Sequence, residues 1–232
     1  MKLSILMPVY NENDNVGKII ARVLKVKLPI QKELIVVDDC SNDGTKERLK
    51  KLQKKYKFQL FFHEKNKGKG GAVKTALDHA TGDFVIFQDA DLEYSPEDYP
   101  VLIKPLIEGN ADIVLGSRWQ LNKWKKSHFY DYIHYLGNRF QSFVMSFLYM
   151  KWLNDVWTCY KVFKIDVINS VEIKGNRFDY EIELMSKLLR KNFKVINVPI
   201  KYHPRGFEEG KKITWKDGFK ALIVAIKYRI NL

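Results

Sequence analysis

Five short apolar runs punctuate the first half of the chain, and most are followed by a segment whose apolar residues recur at helical spacing. The runs are LSILMPV (3–9), ELIVVDD (33–39), FQLFFH (58–63), DFVIFQD (83–89) and ADIVLGS (111–117). Unbroken runs of β-branched and aromatic residues suit strands covered on both faces, and the spacings between them suit helical crossovers. The pattern predicts an α/β fold with an open, mostly parallel sheet flanked by helices. Helix starts agree with it. Asn13 precedes DNVGKIIARVL, SNDGT precedes KERLKKLQKKY, and SPED precedes YPVLIKPLIEG, each offering a polar cap or first-turn acids. After Ser117 the texture changes to an aromatic, basic stretch (119–153). A strand-like VWTCYKVF (156–163), a helix near 179–191, the strand FKVINVPIKYH (193–203), a loop and a last helix follow.

A chain of 232 residues can bury a core in one α/β domain but is short for two. No repeat or low-complexity linker marks a boundary, so the expectation is a single domain, 1–232, with a ligand-binding half (1–117) and a second half (118–232). Cys40 and Cys159 are far apart, with no CxxC or histidine spacing, which argues against a disulfide framework or a zinc site and for a reducing, cytoplasmic setting. The start reads as a first strand rather than a signal, and no window reaches the roughly 18 apolar residues of a membrane span.

Charge changes the picture further. The formal net charge is +13, which calls for an anionic partner. Residues 186–232 hold twelve Lys or Arg against three acids, so much of the excess is local. In WKDGFKALIVAIKYRI, Trp215, Phe219, Leu222, Ile223, Ile226 and Ile230 share one helical face, bordered by Lys216, Lys220 and Lys227. RFQSFVMSFLYM places Phe140, Phe143, Val144, Phe147 and Leu148 on one side of a second helix. These amphipathic stripes suit either a lipid headgroup layer, giving peripheral attachment to a membrane surface, or packing on the sheet or on a second copy.

Open α/β sheets bind ligands beyond the carboxyl ends of their strands. PVYNEN, DDCSNDG, NKGKGGA (66–72) and DADLE fall at the ends of strands one to four. In DADLE, Asp89 and Asp91 point the same way from an extended backbone, and Glu93 joins them if the backbone stays extended. Three like charges repel unless a hard divalent cation sits among them, and such a cation can hold a diphosphate. In NKGKGGA, Gly68, Gly70 and Gly71 open a helix, so backbone amides could face an anion with Lys69 beside them. The spacing is neither a P-loop nor a dinucleotide fingerprint. YHPRGFEEGKKITW (202–215), with Arg205, Lys211 and Lys212, reads as a basic loop able to close over an anionic ligand, or as an ordinary solvated loop.

PVYNE, VVDDCSNDGT, NKGKGGA, GDFVIFQDAD, ADIVLGSR, DVWTCYKVF and EEGKKITWKDGFKAL occur in the order seen in family 2 glycosyltransferases. The chain resembles their dolichol-phosphate mannose synthase branch over nearly its whole length. The resemblance implies a GT-A (Rossmann-like) fold and inverting transfer of a hexose, from a GDP-mannose or UDP-glucose type of donor, to a polyprenyl phosphate. It implies that Pro8, Tyr10 and Glu12 line the nucleotide with Ala90, and that Asp39 meets its base or ribose. Asp89 and Asp91 would hold Mg²⁺ or Mn²⁺ against the diphosphate, with Glu93 completing the site and Arg118 and Arg205 facing phosphates. Cys40 departs from the pattern, where glycine is common.

A phosphate monoester acceptor is largely ionised near neutrality, its second pKa being about 6, so it demands no strong general base. A hydroxyl acceptor needs one. Asp179 and Glu181 in RFDYEIELM are the candidates, beside the plainer reading of acids at a helix start. His134 could orient a phosphate or pack at an interface. Three functions follow: transfer to a polyprenyl phosphate, transfer to a glycan or other hydroxyl, or a non-catalytic nucleotide or nucleic-acid binding module. The absence of an RNA-binding motif and the acids in the cleft count against nucleic acid.

Overall fold

The computed structural model describes residues 1–119, 129–177, 179–204 and 215–230. The strands are β1 (Lys2–Val9), β2 (Gln31–Asp38), β3 (Gln59–Phe62), β4 (Phe84–Phe87), β5 (Ile113–Ser117), β6 (Lys161–Lys164) and β7 (Val195–Pro199). They form one sheet in the order β3-β2-β1-β4-β6-β5-β7. Every neighbouring pair is parallel except the two that involve β6. The sheet is therefore open and mostly parallel, as the apolar runs predicted, and it draws strands from both halves of the chain. The helices are α1 (Val16–Lys25), α2 (Thr45–Lys55), α3 (Gly68–Asp78), α4 (Tyr99–Ile107), α5 (Phe129–Tyr149), α6 (Ile165–Asn169), α7 (Asp179–Arg190) and α8 (Trp215–Ile230).

Central β1 shows why the runs are unbroken: Leu3, Ile5, Leu6 and Met7 are all fully buried, because helices cover both faces of the sheet. α1 buries Val16, Ile19, Ile20 and Val23 on one stripe, the helical counterpart of the same demand.

Two expected strands are shorter than predicted. Of 156–163 only the last residues pair, since the chain turns tightly at Cys159, whose carbonyl accepts the Lys161 amide at 2.7 Å. Residues 156–160 are thereby left free to carry side chains to the sheet's carboxyl edge. Of 193–203, pairing in the sheet ends at Pro199, and Tyr202 makes an isolated antiparallel bridge with Tyr94.

The successions β1-β2-β3 and β1-β4 run in opposite directions from β1, so the crevice between the carboxyl ends of β1 and β4 is the topological switch point, where open sheets of this kind take ligands.

The apolar stripe on α5 turns outward. Leu136, Phe140, Phe143, Phe147 and Met150 follow one another at three- and four-residue steps and are all exposed, Phe147 at 71% and Met150 at 81%. On α8, Ile223, Ile226 and Ile230 are exposed while Ala225 is buried. The helices are tied side by side: the Tyr149 hydroxyl donates to the Ala225 carbonyl at 2.8 Å, and Arg229 Nε to the Leu148 carbonyl at 2.7 Å. Packing of α5 and α8 on each other and on α7, rather than on the sheet, thus accounts for Met145, Tyr149 and Ala225 but not for the outward residues. Among the described residues no helix is long and apolar enough to cross a membrane.

Candidate active site

The loops after β1 and β2 lock together at the switch point. Asn11, in the left-handed region at φ 53°, accepts the Asn42 amide on its side-chain oxygen at 3.0 Å and donates its own amide to Ser41 Oγ at 2.9 Å. The Glu12 amide donates to Thr45 Oγ1, and Glu12 Oε2 accepts from Asn15 Nδ2, both at 3.0 Å. This interlock leaves Pro8 and Glu12 half-buried and Tyr10 exposed along the crevice wall. Cys40 has φ 64°, a conformation that glycine adopts without steric cost, which explains why glycine suits that position.

The glycine-rich turn departs from its expected use. Asp39 is 2% exposed, and its carboxylate faces the protein. Oδ1 lies 2.6 Å from His63 Nδ1 and accepts the Lys67 amide at 2.8 Å, while Oδ2 accepts the Gly68 amide at 2.8 Å. Gly68 sits at φ 82°, which aims consecutive amides at one anion. That anion is the chain's own carboxylate. Asp39 thus ties the 63–68 loop to the end of β2. The glycines also answer a steric demand. A Cβ on Gly68 would lie 2.5 Å from the Asn176 carbonyl oxygen, and one on Gly70 2.8 Å from that of Gly175. The segment before α7 rests directly on α3.

At the end of β4 the side chain of Gln88 is fully buried. Its Oε1 accepts the hydroxyls of Tyr99 at 2.5 Å and Tyr160 at 2.8 Å, and its Nε2 donates to the Asp89 carbonyl at 2.8 Å. The backbone at the acidic motif is thus fixed from behind. Past Asp89 the chain bends: Asp91 Oδ1 accepts the Glu93 amide at 3.0 Å, so the backbone does not stay extended. Glu93 is drawn instead to the segment after β7, accepting the Tyr202 hydroxyl at 3.2 Å and, on its carbonyl, the His203 amide at 2.8 Å. Among the described residues no three acidic, histidine or cysteine side chains gather as a metal site. Glu93 and Asp91 both act on Tyr202, while Asp89 lies just past the end of β4. Asp89 and Asp91 fit a hard divalent cation in number and kind, since Mg²⁺ is commonly held by one or two carboxylates with substrate phosphates supplying further oxygens.

Behind Asp89 runs a buried chain of alternating charge. Lys69 Nζ lies 2.8 Å from Asp89 Oδ1 and 3.0 Å from Glu181 Oε1, and Lys161 Nζ lies 2.6 Å from Glu181 Oε2. Lys161 is wholly buried and also donates to the Thr158 carbonyl. Burial alone would raise the Glu181 pKa, but Lys161 and then Lys69 outweigh it and bring it down to about 2. A carboxylate so held is a poor proton acceptor, so Glu181 is corrected from candidate base to structural counter-charge. Cys159 stays a thiol: burial pushes its pKa well up, and Asp89 reinforces the effect.

Arg118 is 7% exposed and grips the fully buried Asp155 with both arms, Nε to Oδ2 at 2.7 Å and an Nη to Oδ1 at 2.8 Å. Its guanidinium also lies over the rings of Trp119 and Tyr202. Burial disfavours its charge, but Asp155 raises the pKa overall, so Arg118 is a fixed cation in the wall. Asp155, Lys161 and Gln88 were not singled out from the sequence. A charged residue inside a strand-like apolar run was the available signal for Lys161.

Asp179 opens α7, with its side chain outside the described residues. Arg205, Lys211 and the rest of 205–214, and the side chain of His134, also lie outside them. Ala90, 4% exposed, sits between the aspartates.

A family model described as Glycosyl transferase family 2 matches residues 4–171. The chain is 30% identical over 213 residues to a dolichol-phosphate mannosyltransferase of Pyrococcus furiosus, covering 91% of this chain and 59% of that protein. It is 27% identical over 179 residues to a dodecaprenyl-phosphate galacturonate synthase of Rhizobium johnstonii, covering 75% and 51%. The chain thus spans between half and three fifths of these two relatives. Among solved structures, glucosyl-3-phosphoglycerate synthase from Mycobacterium tuberculosis, in complex with Mn²⁺, uridine diphosphate and glucosyl-3-phosphoglycerate, superposes with a TM-score of 0.72 at 19% identity, over 100% of this chain and 80% of that one. The expected GT-A architecture is the one the chain adopts.

Proposed function

The chain belongs to glycosyl transferase family 2, and from that premise we propose that it transfers a hexose from a nucleotide-sugar to a polyprenyl phosphate at a membrane surface. The observation that carries this reading is the pair Asp89 and Asp91 at the carboxyl end of β4, on the crevice where the strand order reverses. Two relatives whose names specify lipid-phosphate sugar transfer support it.

In this reading Asp89 and Asp91 hold Mg²⁺ or Mn²⁺. When bound, the cation neutralises charge on the nucleotide diphosphate as it departs. The chain's own residues do the rest. Pro8, Tyr10 and Glu12 line the nucleotide beside Ala90, Gln88 holds Asp89 in place, and Arg118, held by Asp155, is assigned to the phosphates. An acceptor phosphate oxygen attacks the anomeric carbon from the face opposite the leaving group. The new C–O bond forms as the bond to the diphosphate breaks, and that electron pair leaves with the nucleotide. No proton need be removed, because the acceptor's second pKa is about 6. Glu181, one of the two carboxylates considered as a base for a hydroxyl acceptor, is committed to two lysines. Arg205 and Lys211 are assigned to closing over the anions, and Asp179 is kept as a site residue at the start of α7.

The test is incubation with a panel of nucleotide-sugars, Mg²⁺ or Mn²⁺ and a short polyprenyl phosphate, with products read by mass spectrometry. A polyprenyl-phosphate hexose is expected. A hexosylated glycan with no lipid product would redirect the acceptor assignment, and no transfer from any donor would sink the reading.

The outward stripes of α5 and α8 are assigned to the headgroup layer, where exposed Arg139, Lys227 and Arg229 meet anionic lipid. An exposed apolar patch of this kind marks an interaction surface. Vesicles containing anionic lipid are expected to carry the protein upward in a density gradient, and the Phe143→Ser, Phe147→Ser double variant should stay at the bottom. A wild-type protein that never floats would remove the membrane from the assignment.

A further inference from the structure

We propose that Lys69 is a resident counter-ion that occupies Asp89 until a divalent cation and a diphosphate arrive together, so that cation uptake is coupled to nucleotide binding. The inference rests on the reading of Asp89 and Asp91 as the cation site.

Its basis is the buried chain of charges. Lys69 Nζ is shared by two carboxylates, Asp89 at 2.8 Å and Glu181 at 3.0 Å, and Glu181 has a second ammonium, Lys161, at 2.6 Å. Two carboxylates and two ammoniums leave this row neutral before any ligand enters. The other groups that act on Lys69 are Cys159 and Tyr180, and burial holds both in their neutral forms. A cation approaching Asp89 alone therefore meets a carboxylate already paired and must displace or share with a positive charge at close range, in a pair only about a fifth exposed. A cation that brings a diphosphate brings the missing negative charge with it. Lys69 can then give up Asp89 without losing its partner, because Glu181 remains, and the released ammonium becomes a donor for the arriving anion. Glu181 and Lys161 are positioning residues in this scheme: they keep Lys69 charged and aimed.

The prediction has a sign that structural damage would not produce. Free Mn²⁺, followed by electron paramagnetic resonance during titration without nucleotide, should bind Lys69→Met about tenfold more tightly than wild type. Adding UDP or GDP should tighten Mn²⁺ binding strongly in wild type and much less in the variant. Lys69→Arg, which keeps the charge, should behave as wild type. Lys69→Gln serves in place of the methionine variant should that one fail to fold. Equal or weaker Mn²⁺ binding by the neutral variants, alongside nucleotide-dependent binding by wild type, would overturn the counter-ion role while leaving the cation site standing. Absence of Mn²⁺ uptake by wild type even with nucleotide would overturn both.

Discussion

Asp91→Asn is expected to lower sugar transfer by about 10²- to 10³-fold at saturating Mn²⁺ while leaving the fold intact. The variant is chosen for what it preserves. Asp91 is 6% exposed, and Oδ1 accepts the Glu93 amide at 3.0 Å. An asparagine oxygen accepts that same hydrogen bond, so the bend at 91–93 survives. Only the negative charge goes, and with it a ligand for a hard cation. Turnover in the lipid-product assay and thermal melting, measured together, separate the two effects. Activity within a few-fold of wild type would show that this carboxylate takes no part in the chemistry.

Glu181→Gln should destabilise the protein by about 3–5 kcal/mol near neutral pH, because it leaves Lys161, wholly buried, without its counter-charge. For a chain of this size that corresponds to a fall of about 10 °C in melting temperature. The pH dependence is as informative as the size. The folded pKa of Glu181, about 2, lies below its ordinary value of 4.5. A depressed carboxylate contributes its stability above the unfolded value and loses it as pH falls through the folded one. The difference in unfolding free energy between wild type and variant should therefore be full above about pH 5 and shrink between there and pH 2, where a protonated glutamate resembles glutamine. Denaturant titrations at several pH values would measure it. A gap that does not change with pH would mean that the ion pairs contribute nothing.

The strands were legible because a strand buried on both faces must be continuously apolar, and β4 and the inner stretches of β1, β2 and β5 obey that rule. The antiparallel placement of β6 was not, since the same run reads alike in either direction, and a lysine within it gives no hint that it ends inside the protein against Glu181. The aspartate pair could be read from local sequence, because two residues of spacing and a preceding strand determine where it sits. Its partners could not. Lys69 and Glu181 are separated by 112 positions, and only the packing of α3 against α7 brings them together. The glycine turn misled for the same reason. Its amides were correctly taken as anion binders, but the anion is Asp39, supplied from the end of another strand.

The crossing of residues 174–177 over the start of α3 has a mechanical consequence. The Lys174 and Gly175 amides are held by the two oxygens of Glu183, and Lys74 bonds back to the Lys174 carbonyl. With bare glycines forming the bearing surface, the start of α3 and the segment before α7 are keyed together, so a side chain added at Gly68 or Gly70 would have to push the two elements apart.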